Sequence, residues 1–305
     1  RSRSQPRIKS ERSAMNYRHH FHAGNFADVM KHVLLCRLIR ALQKKEKGFL
    51  YLDTHAGRGG YDLEVAATGD THARRPEWPE GIGRLWAQVP DTLPPPLAEY
   101  LALVREFDRD AGNITAAPRF YPGSPWLARR LARLGDRLAL CEKHPVECAA
   151  LQGELGGRAG VTVQEMNGYT AVRALLPPPE RRALVLIDPP FEAQDEFAQI
   201  AGALRDGLQR FASGVFAVWY PLTGRARVDE FFAAVRALRP PPTLAGELMI
   251  AGEQAEMKMK GCGLLVINPP WQFDTEAAPV LEYLAGALAQ APGGGGRVDW
   301  IVREA

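Results

Sequence analysis

Two rhythms of apolar and polar positions run along this chain. From Asn25, which can cap a helix, the residues to about Lys45 are apolar nearly all round, with Val33, Leu34, Leu35 and Cys36 leaving no polar side. That pattern predicts a buried helix with one basic stripe at Arg37, Arg40 and Lys44. Phe49–Asp53 (FLYLD) then reads as a strand closing on a glycine-bearing turn, THAGRGG. Further strand-like runs occur at Leu138–Cys141, Val161–Gln164, Ala183–Ile187, Val215–Trp219, Leu244–Ile250 and Leu264–Ile267, with a short last strand at Val298–Val302 after Gly293–Gly296. Helical patterns fill the gaps, among them Trp126–Leu134, Val146–Leu155, Phe197–Phe211 and Asp229–Leu238. Strands apolar on both faces suit a mostly parallel sheet covered by helices on each side, a doubly wound α/β fold.

One stretch breaks the rhythm. Residues 62–118 are polar and proline-bearing, with two helical patterns at Gly81–Gln88 and Leu97–Arg109. They are predicted to form a small inserted helical subdomain within a domain made of 15–61 and 119–305. Three Pro-Pro-Pro runs, at 94–96, 177–179 and 240–242, fall in connections, where missing N–H donors do no harm.

Composition narrows the class. The chain has 305 residues, 46% hydrophobic and 24% charged, ordinary values for a globular protein. No apolar run reaches the roughly 20 residues of a membrane span. Cys36, Cys141, Cys148 and Cys262 show no CxxC pairing and read as reduced core residues of a cytoplasmic protein. The net charge of +3 is unevenly spread: residues 1–48 hold twelve Lys/Arg against three Asp/Glu. A basic end on a mildly acidic remainder suggests a polyanionic partner, with a merely solvated arm as the plain alternative. Residues 1–14 (RSRSQPRIKSERSA) precede Met15 and are expected to be disordered.

Three motifs carry chemistry. In Asp53-Thr54-His55-Ala56-Gly57-Arg58-Gly59-Gly60 a strand ends on an acid and a Gly-x-Gly turn follows, which lets backbone approach a nucleotide-like ligand closely. Position 62 is Asp, so the dinucleotide fingerprint is incomplete; the D-x-x-x-G-x-G turn better suits S-adenosylmethionine, which has no pyrophosphate. Glu142 ends the next long strand, where an acid can accept hydrogen bonds from two ribose hydroxyls. The most specific run is Asp188-Pro189-Pro190-Phe191 after the strand ALVLI. An amine conjugated to an aromatic ring is a poor nucleophile. A carboxylate and the Pro189 carbonyl aimed at its N–H bonds favour the tetrahedral, positively charged nitrogen that methyl transfer creates. Phe191 offers a ring face to an unstacked base.

Asn268-Pro269-Pro270-Trp271 is a rival copy of that run. It follows the last long strand, which a methyltransferase sheet places about three spacings away, roughly 14 Å. The first copy follows the strand expected beside the glycine turn, so Asp188 is the expected acceptor site and 268–271 a structural turn. Tyr17-Arg18-His19-His20-Phe21-His22 with Lys31-His32 invites a metal reading, but no HExxH-type spacing supports it, and no metal is expected. Basic residues interleaved with aromatics better suit unpaired bases and phosphates, with Tyr17, Arg18 and His19 foremost.

The segments YRHHFHAGNFADVMKH, FLYLDTHAG, YPGSP, IDPPF, WYP and INPPW occur in this order and together closely resemble the RlmJ family, over about residues 15–303. The resemblance implies a Rossmann-like class I methyltransferase fold with an inserted helical subdomain, and N6-methylation of one adenine in 23S ribosomal RNA. It implies S-adenosylmethionine contacts at Lys31, His32, His55, Ser124, Glu142, Asn167 and Gly168, to which the motifs add Gly57 and Asp188, with catalysis at Asp188 and RNA contact at Tyr17. Asn167 and Phe191 stand where the family typically has Asp and Tyr, and Arg58 and Gly60 where it tends to have Ala and Arg.

The expectation is direct methyl transfer to 23S rRNA, naked or in an early assembly particle, with residues from Arg18 to Lys47 holding the RNA backbone. The alternatives are a DNA adenine-N6 methyltransferase, for which the insert looks small, a protein glutamine methyltransferase, whose motif usually opens with Asn, and a nucleic-acid-binding protein without catalysis.

Overall fold

The computed structural model describes residues 21–68 and 75–303. The expectations for Tyr17, Arg18, His19, His20 and the 1–14 extension lie outside the described residues. Among the described residues ten strands occur in chain order: β1 (Leu50–Asp53), β2 (Gly60–Asp62), β3 (Phe120–Pro122), β4 (Arg137–Glu142), β5 (Val161–Glu165), β6 (Ala183–Ile187), β7 (Val215–Leu222), β8 (Thr243–Met249), β9 (Gly261–Ile267) and β10 (Gly295–Val302). The α-helices are α1 (Phe26–Leu42), α2 (Leu63–Thr68), α3 (Ile82–Leu85), α4 (Pro95–Asp110), α5 (Ser124–Leu131), α6 (Pro145–Leu155), α7 (Gly168–Leu175), α8 (Glu196–Arg210), α9 (Arg225–Ala237) and α10 (Phe273–Ala287).

Eight strands form one sheet in the order β10-β8-β9-β7-β6-β1-β4-β5. Strand β1 sits between β4 and β6, parallel to both, with Leu50 level with Arg137 and Ala183. All five residues of β6 are buried, as its unbroken apolar run predicts. Residues from α1, α4, α5 and α10 fill the core on one face of the sheet, and residues from α7, α8 and α9 fill the core on the other. This is the doubly wound, Rossmann-like arrangement with a mostly parallel sheet. The elements match their predicted positions to within a few residues. The three-residue strands β2 and β3 are too short to single out from the pattern; they pair antiparallel into a separate ribbon against α4.

Helix α1 is held at both ends. Asn25 accepts a hydrogen bond from the Asp28 amide (2.9 Å), and Asp28 accepts one back from the Gly24 amide (3.1 Å), a reciprocal cap. At the other end the Arg182 guanidinium donates to the Leu42 carbonyl (2.5 Å). The predicted basic stripe is present on α1, and its residues pair within the chain. Arg37 pairs with Glu276 at 2.6 Å and Arg40 with Glu99 at 2.7 Å, because α1 is packed between α4, α5 and α10 rather than lying on the surface.

The antiparallel strand β9, which precedes Asn268–Trp271, lies beside β7 and three spacings from β1, as expected. Its last residue, Ile267, pairs with Phe216 and Thr243 at the starts of β7 and β8. The run therefore leaves the sheet at its amino edge, whereas Asp188 leaves β6 at the carboxyl edge. Strand direction, more than lateral distance, separates the two copies.

Candidate active site at the carboxyl edge of the sheet

Parallel strands bring their following loops to one edge, and the motifs after β1, β4, β5 and β6 converge there. Asp53, at the end of β1, is fully buried. One of its oxygens accepts hydrogen bonds from the hydroxyls of Tyr51 and Ser124, each 2.7 Å away. Ser124 opens α5, so this bond ties the first helix after the insert to the strand before it. Burial pushes the Asp53 carboxyl up to about 6, against the pull of its two hydroxyl donors.

Gly57 turns the chain at φ +61°, a conformation open to glycine at little cost. Its amide donates to Glu142 (2.8 Å), whose second oxygen accepts from the His144 amide (2.7 Å). Glu142 thus locks the glycine turn to the end of β4. Arg58 pairs with Glu147 in the first turn of α6 (2.9 Å), which anchors the turn at the position where the family pattern differs. His55 bonds through Nδ1 to the Thr54 hydroxyl (2.8 Å) and lies edge-on to Tyr169. Burial, with the Lys143 charge adding to it, lowers its pKa to about 4, so the imidazole is neutral at physiological pH.

Asn167 caps α7, its side-chain oxygen accepting from the amides of Tyr169 (2.9 Å) and Thr170 (3.3 Å). That oxygen, which could otherwise face an adenine amino group, is engaged by the helix. Gly168 follows because nothing larger fits: a Cβ there would lie 2.0 Å from the Thr54 carbonyl oxygen. The backbone after β5 is thereby pressed onto the backbone after β1. Gly57, Glu142, Asn167 and Gly168 thus meet after β1, β4 and β5, where the backbone approaches closely.

Lys31 and Asp188 meet at the end of β6. The Lys31 ammonium lies 2.6 Å from Asp188 and 2.8 Å from Asp28, and its side chain is 6% exposed. Burial alone would lower its pKa, but Asp188 and Asp28 together hold it well above the ordinary lysine value. Asp188 remains partly open, with its side chain 16% exposed. Phe191 adopts φ +51° and meets Phe197 and Trp219 edge-on, with centroids 5.0 and 5.7 Å away. His32 is 2% exposed. Its Nδ1 is 2.9 Å from the Tyr121 hydroxyl, itself 2.7 Å from the hydroxyl of Tyr100. This chain fastens α1 to α4 and β3 beneath the cleft.

Sequence reading missed Tyr51, Asp28, Tyr169 and Trp219 in this constellation. Asp28 was detectable, since an acid three residues after an Asn cap completes a reciprocal cap. Tyr169 was not, because its hydroxyl donates to Glu196, 27 residues away. Among the described residues, no group of three or more His, Cys, Asp or Glu side chains could hold a metal ion, and no helix is long and apolar enough to cross a membrane.

The Asp53 carboxyl provides a stability test. Its folded pKa is near 6 and its unfolded value is near 3.9, so the folded state binds the proton more tightly. Stability is therefore lost as pH rises from about 4 to about 6, by roughly 3 kcal/mol in total. Asp53→Asn should be more stable relative to the parent at pH 8 than at pH 4, measured as the difference in Tm at each pH. A difference independent of pH would show that Asp53 titrates alike in the folded and unfolded states.

The fold and the carboxyl-edge site define a class I methyltransferase that uses S-adenosylmethionine. Comparison with known proteins agrees. Residues 46–302 match the family model described as ribosomal RNA large subunit methyltransferase D, RlmJ. The ribosomal RNA large subunit methyltransferase J of Escherichia coli is 40% identical over 291 residues, covering 95% of this chain and all of that protein. The Haemophilus influenzae protein of the same name is 39% identical over 290 residues, with the same coverage. A crystal structure of a Legionella pneumophila protein superposes with a TM-score of 0.81 at 35% identity, covering 92% of this chain and 98% of that one. The chain belongs to the RlmJ family.

Proposed function

We propose that this enzyme methylates N6 of one adenine in 23S ribosomal RNA, acting in the cytoplasm on naked RNA or an early assembly particle. The observation that carries the reading is Asp188, partly exposed at the carboxyl edge, with one oxygen held by Lys31 at 2.6 Å. The other oxygen is left to accept a hydrogen bond from the adenine amino group, together with the Pro189 carbonyl. Bound S-adenosylmethionine supplies an electrophilic methyl group.

The chain's own residues do the rest. Asp188 and the Pro189 carbonyl draw the amine out of conjugation and stabilise the positive charge that its nitrogen gains as the N–C bond forms. Phe191, backed by Phe197 and Trp219, supports an extruded base. Asp188 acts by charge and orientation, and the proton leaves the methylated nitrogen, now strongly acidic, to Asp188 or water.

Residues 62–118 are proposed to act as an inserted subdomain, and Tyr17, Arg18 and His19 to touch the RNA. Since Arg37 and Arg40 are paired internally, phosphate contact falls to the residues before α1 and after it. Incubation with labelled S-adenosylmethionine and unmodified 23S rRNA should yield labelled N6-methyladenosine, and duplex DNA should stay unlabelled. Label in DNA or protein alone would overturn the substrate and keep the site.

A further inference from the structure

The rival motif at the amino edge is not idle filler between β9 and α10. Trp271 is 81% exposed, an unusual position for the largest apolar side chain. Its loop is rigid. Asn268 and Gln272, on either side of the Pro-Pro-Trp run, both adopt left-handed backbone at φ +54° and +62°. The Asn268 amide group donates to the carbonyls of Ala212 (2.7 Å) and Gly214 (2.8 Å). The indole is thus held in solvent by a braced turn rather than left there by a loose one.

Beside it lies a cleft of about 480 Å³ at the start of β6 and β7, under the C-terminal end of α1. Its floor is apolar, from Leu42, Val215 and Pro270, and its rim carries Lys44, Lys45, Arg181 and Arg182, with no carboxylate in the lining. Arg182 is spent on the α1 carbonyl end, and Lys44 reaches Glu276 at 3.5 Å. Among the described residues neither Lys45 nor Arg181 has an ion-pair partner. Arg181 is held outward by a tight turn, its amide bonded to the Pro178 carbonyl at 2.9 Å, with φ +55°.

An exposed ring on a rigid turn, an apolar floor and unpaired cations fit a stacked base with its phosphates. We propose that this amino-edge cleft is a second RNA-binding site, in which an unpaired base of the substrate RNA stacks on Trp271 and its phosphates lie against Lys45 and Arg181. The inference rests on the rRNA reading above. Helix α1 connects the two sites, with Lys31 at the reacting edge and Leu42 at the cleft, a rise of about 17 Å between them. Stacked bases 3.4 Å apart cover that distance in roughly five nucleotides. A hairpin with fewer unpaired nucleotides than that beside the target adenine engages the first site alone, and a longer transcript engages both.

The test measures kcat, KM and equilibrium binding on a minimal target hairpin and on a transcript of several hundred nucleotides containing it, across a salt series. Trp271→Ala should raise KM and Kd for the long transcript about tenfold, with Trp271→Phe keeping most of the affinity. Arg181→Gln should weaken it several-fold and reduce the salt slope by about one. Both variants should match the parent in kcat and in hairpin KM. Unchanged affinity for the long transcript would overturn the proposal, as would an equal loss on both RNAs, which would place the effect in the fold or the reacting site. A loss confined to protein-containing ribosomal particles would assign the cleft to a ribosomal protein instead. If no RNA is methylated by the parent yet Trp271→Ala still loses long-transcript binding, the rRNA-methylation reading fails and the cleft stands.

Discussion

Replacing Asp188 with asparagine lowers kcat by about 10²- to 10³-fold, the usual cost of removing one group aimed at charge developing in a transition state. The substitution keeps the shape of the side chain. It removes the negative charge that the methylated nitrogen needs, and it leaves the Pro189 carbonyl and the Phe191 ring in place. KM for RNA and affinity for S-adenosylmethionine should change little, because the Gly57–Glu142 and Thr54–Gly168 contacts do not involve Asp188. Single-turnover methyl transfer with saturating RNA is the measurement. A kcat within fivefold of the parent would move the catalytic role away from Asp188.

Lys31→Met costs stability on a comparable scale. The ammonium lies between two carboxylates, at 2.6 and 2.8 Å, in a place that leaves Lys31 itself 5% exposed. Removing it strands Asp28 and Asp188 without their shared cation, and breaking a buried pair in this way costs about 3–5 kcal/mol. Tm should fall by roughly 6–15 °C. Because the folded pKa of Lys31 is raised, its contribution is fully present below the unfolded value of about 10.4 and is lost only as pH rises above it. Across pH 5–9 the parent therefore keeps this contribution. Asp28→Asn alone should be milder, since Asp188 still satisfies Lys31. A Tm unchanged in Lys31→Met would mean that the two carboxylates separate into solvent without cost.

Much of this architecture was legible in the residue pattern. Unbroken apolar runs such as ALVLI can be stable only when covered on both faces, so they announce a sandwiched parallel sheet. Asp188-Pro189-Pro190-Phe191 was readable because each of its residues has a chemical task that needs no distant partner. The glycine turn was readable for the same reason, since backbone geometry at Gly57 is a local property. The basic stripe on α1 was legible as charge, but its counter-charges were not. Glu276 and Glu99 lie 239 and 59 residues from their partners Arg37 and Arg40.

The sequence by itself determined the order of strands and helices, the chemistry available after each strand, and which acid ends each loop. These follow from local periodicity and side-chain type. Strand order already favoured the first of two nearly identical Pro-Pro-aromatic runs; only the tertiary structure decided that the second stands at the opposite edge. That placement depends on strand direction: β6 runs parallel to β1, and β9 runs antiparallel to β7, so their following turns emerge on opposite edges of one sheet. It also decided that Lys31 serves Asp188 across 157 residues and that Gly168 must lack a side chain. Pairing and close approach are properties of chains brought together in space, and no local pattern of residues encodes them.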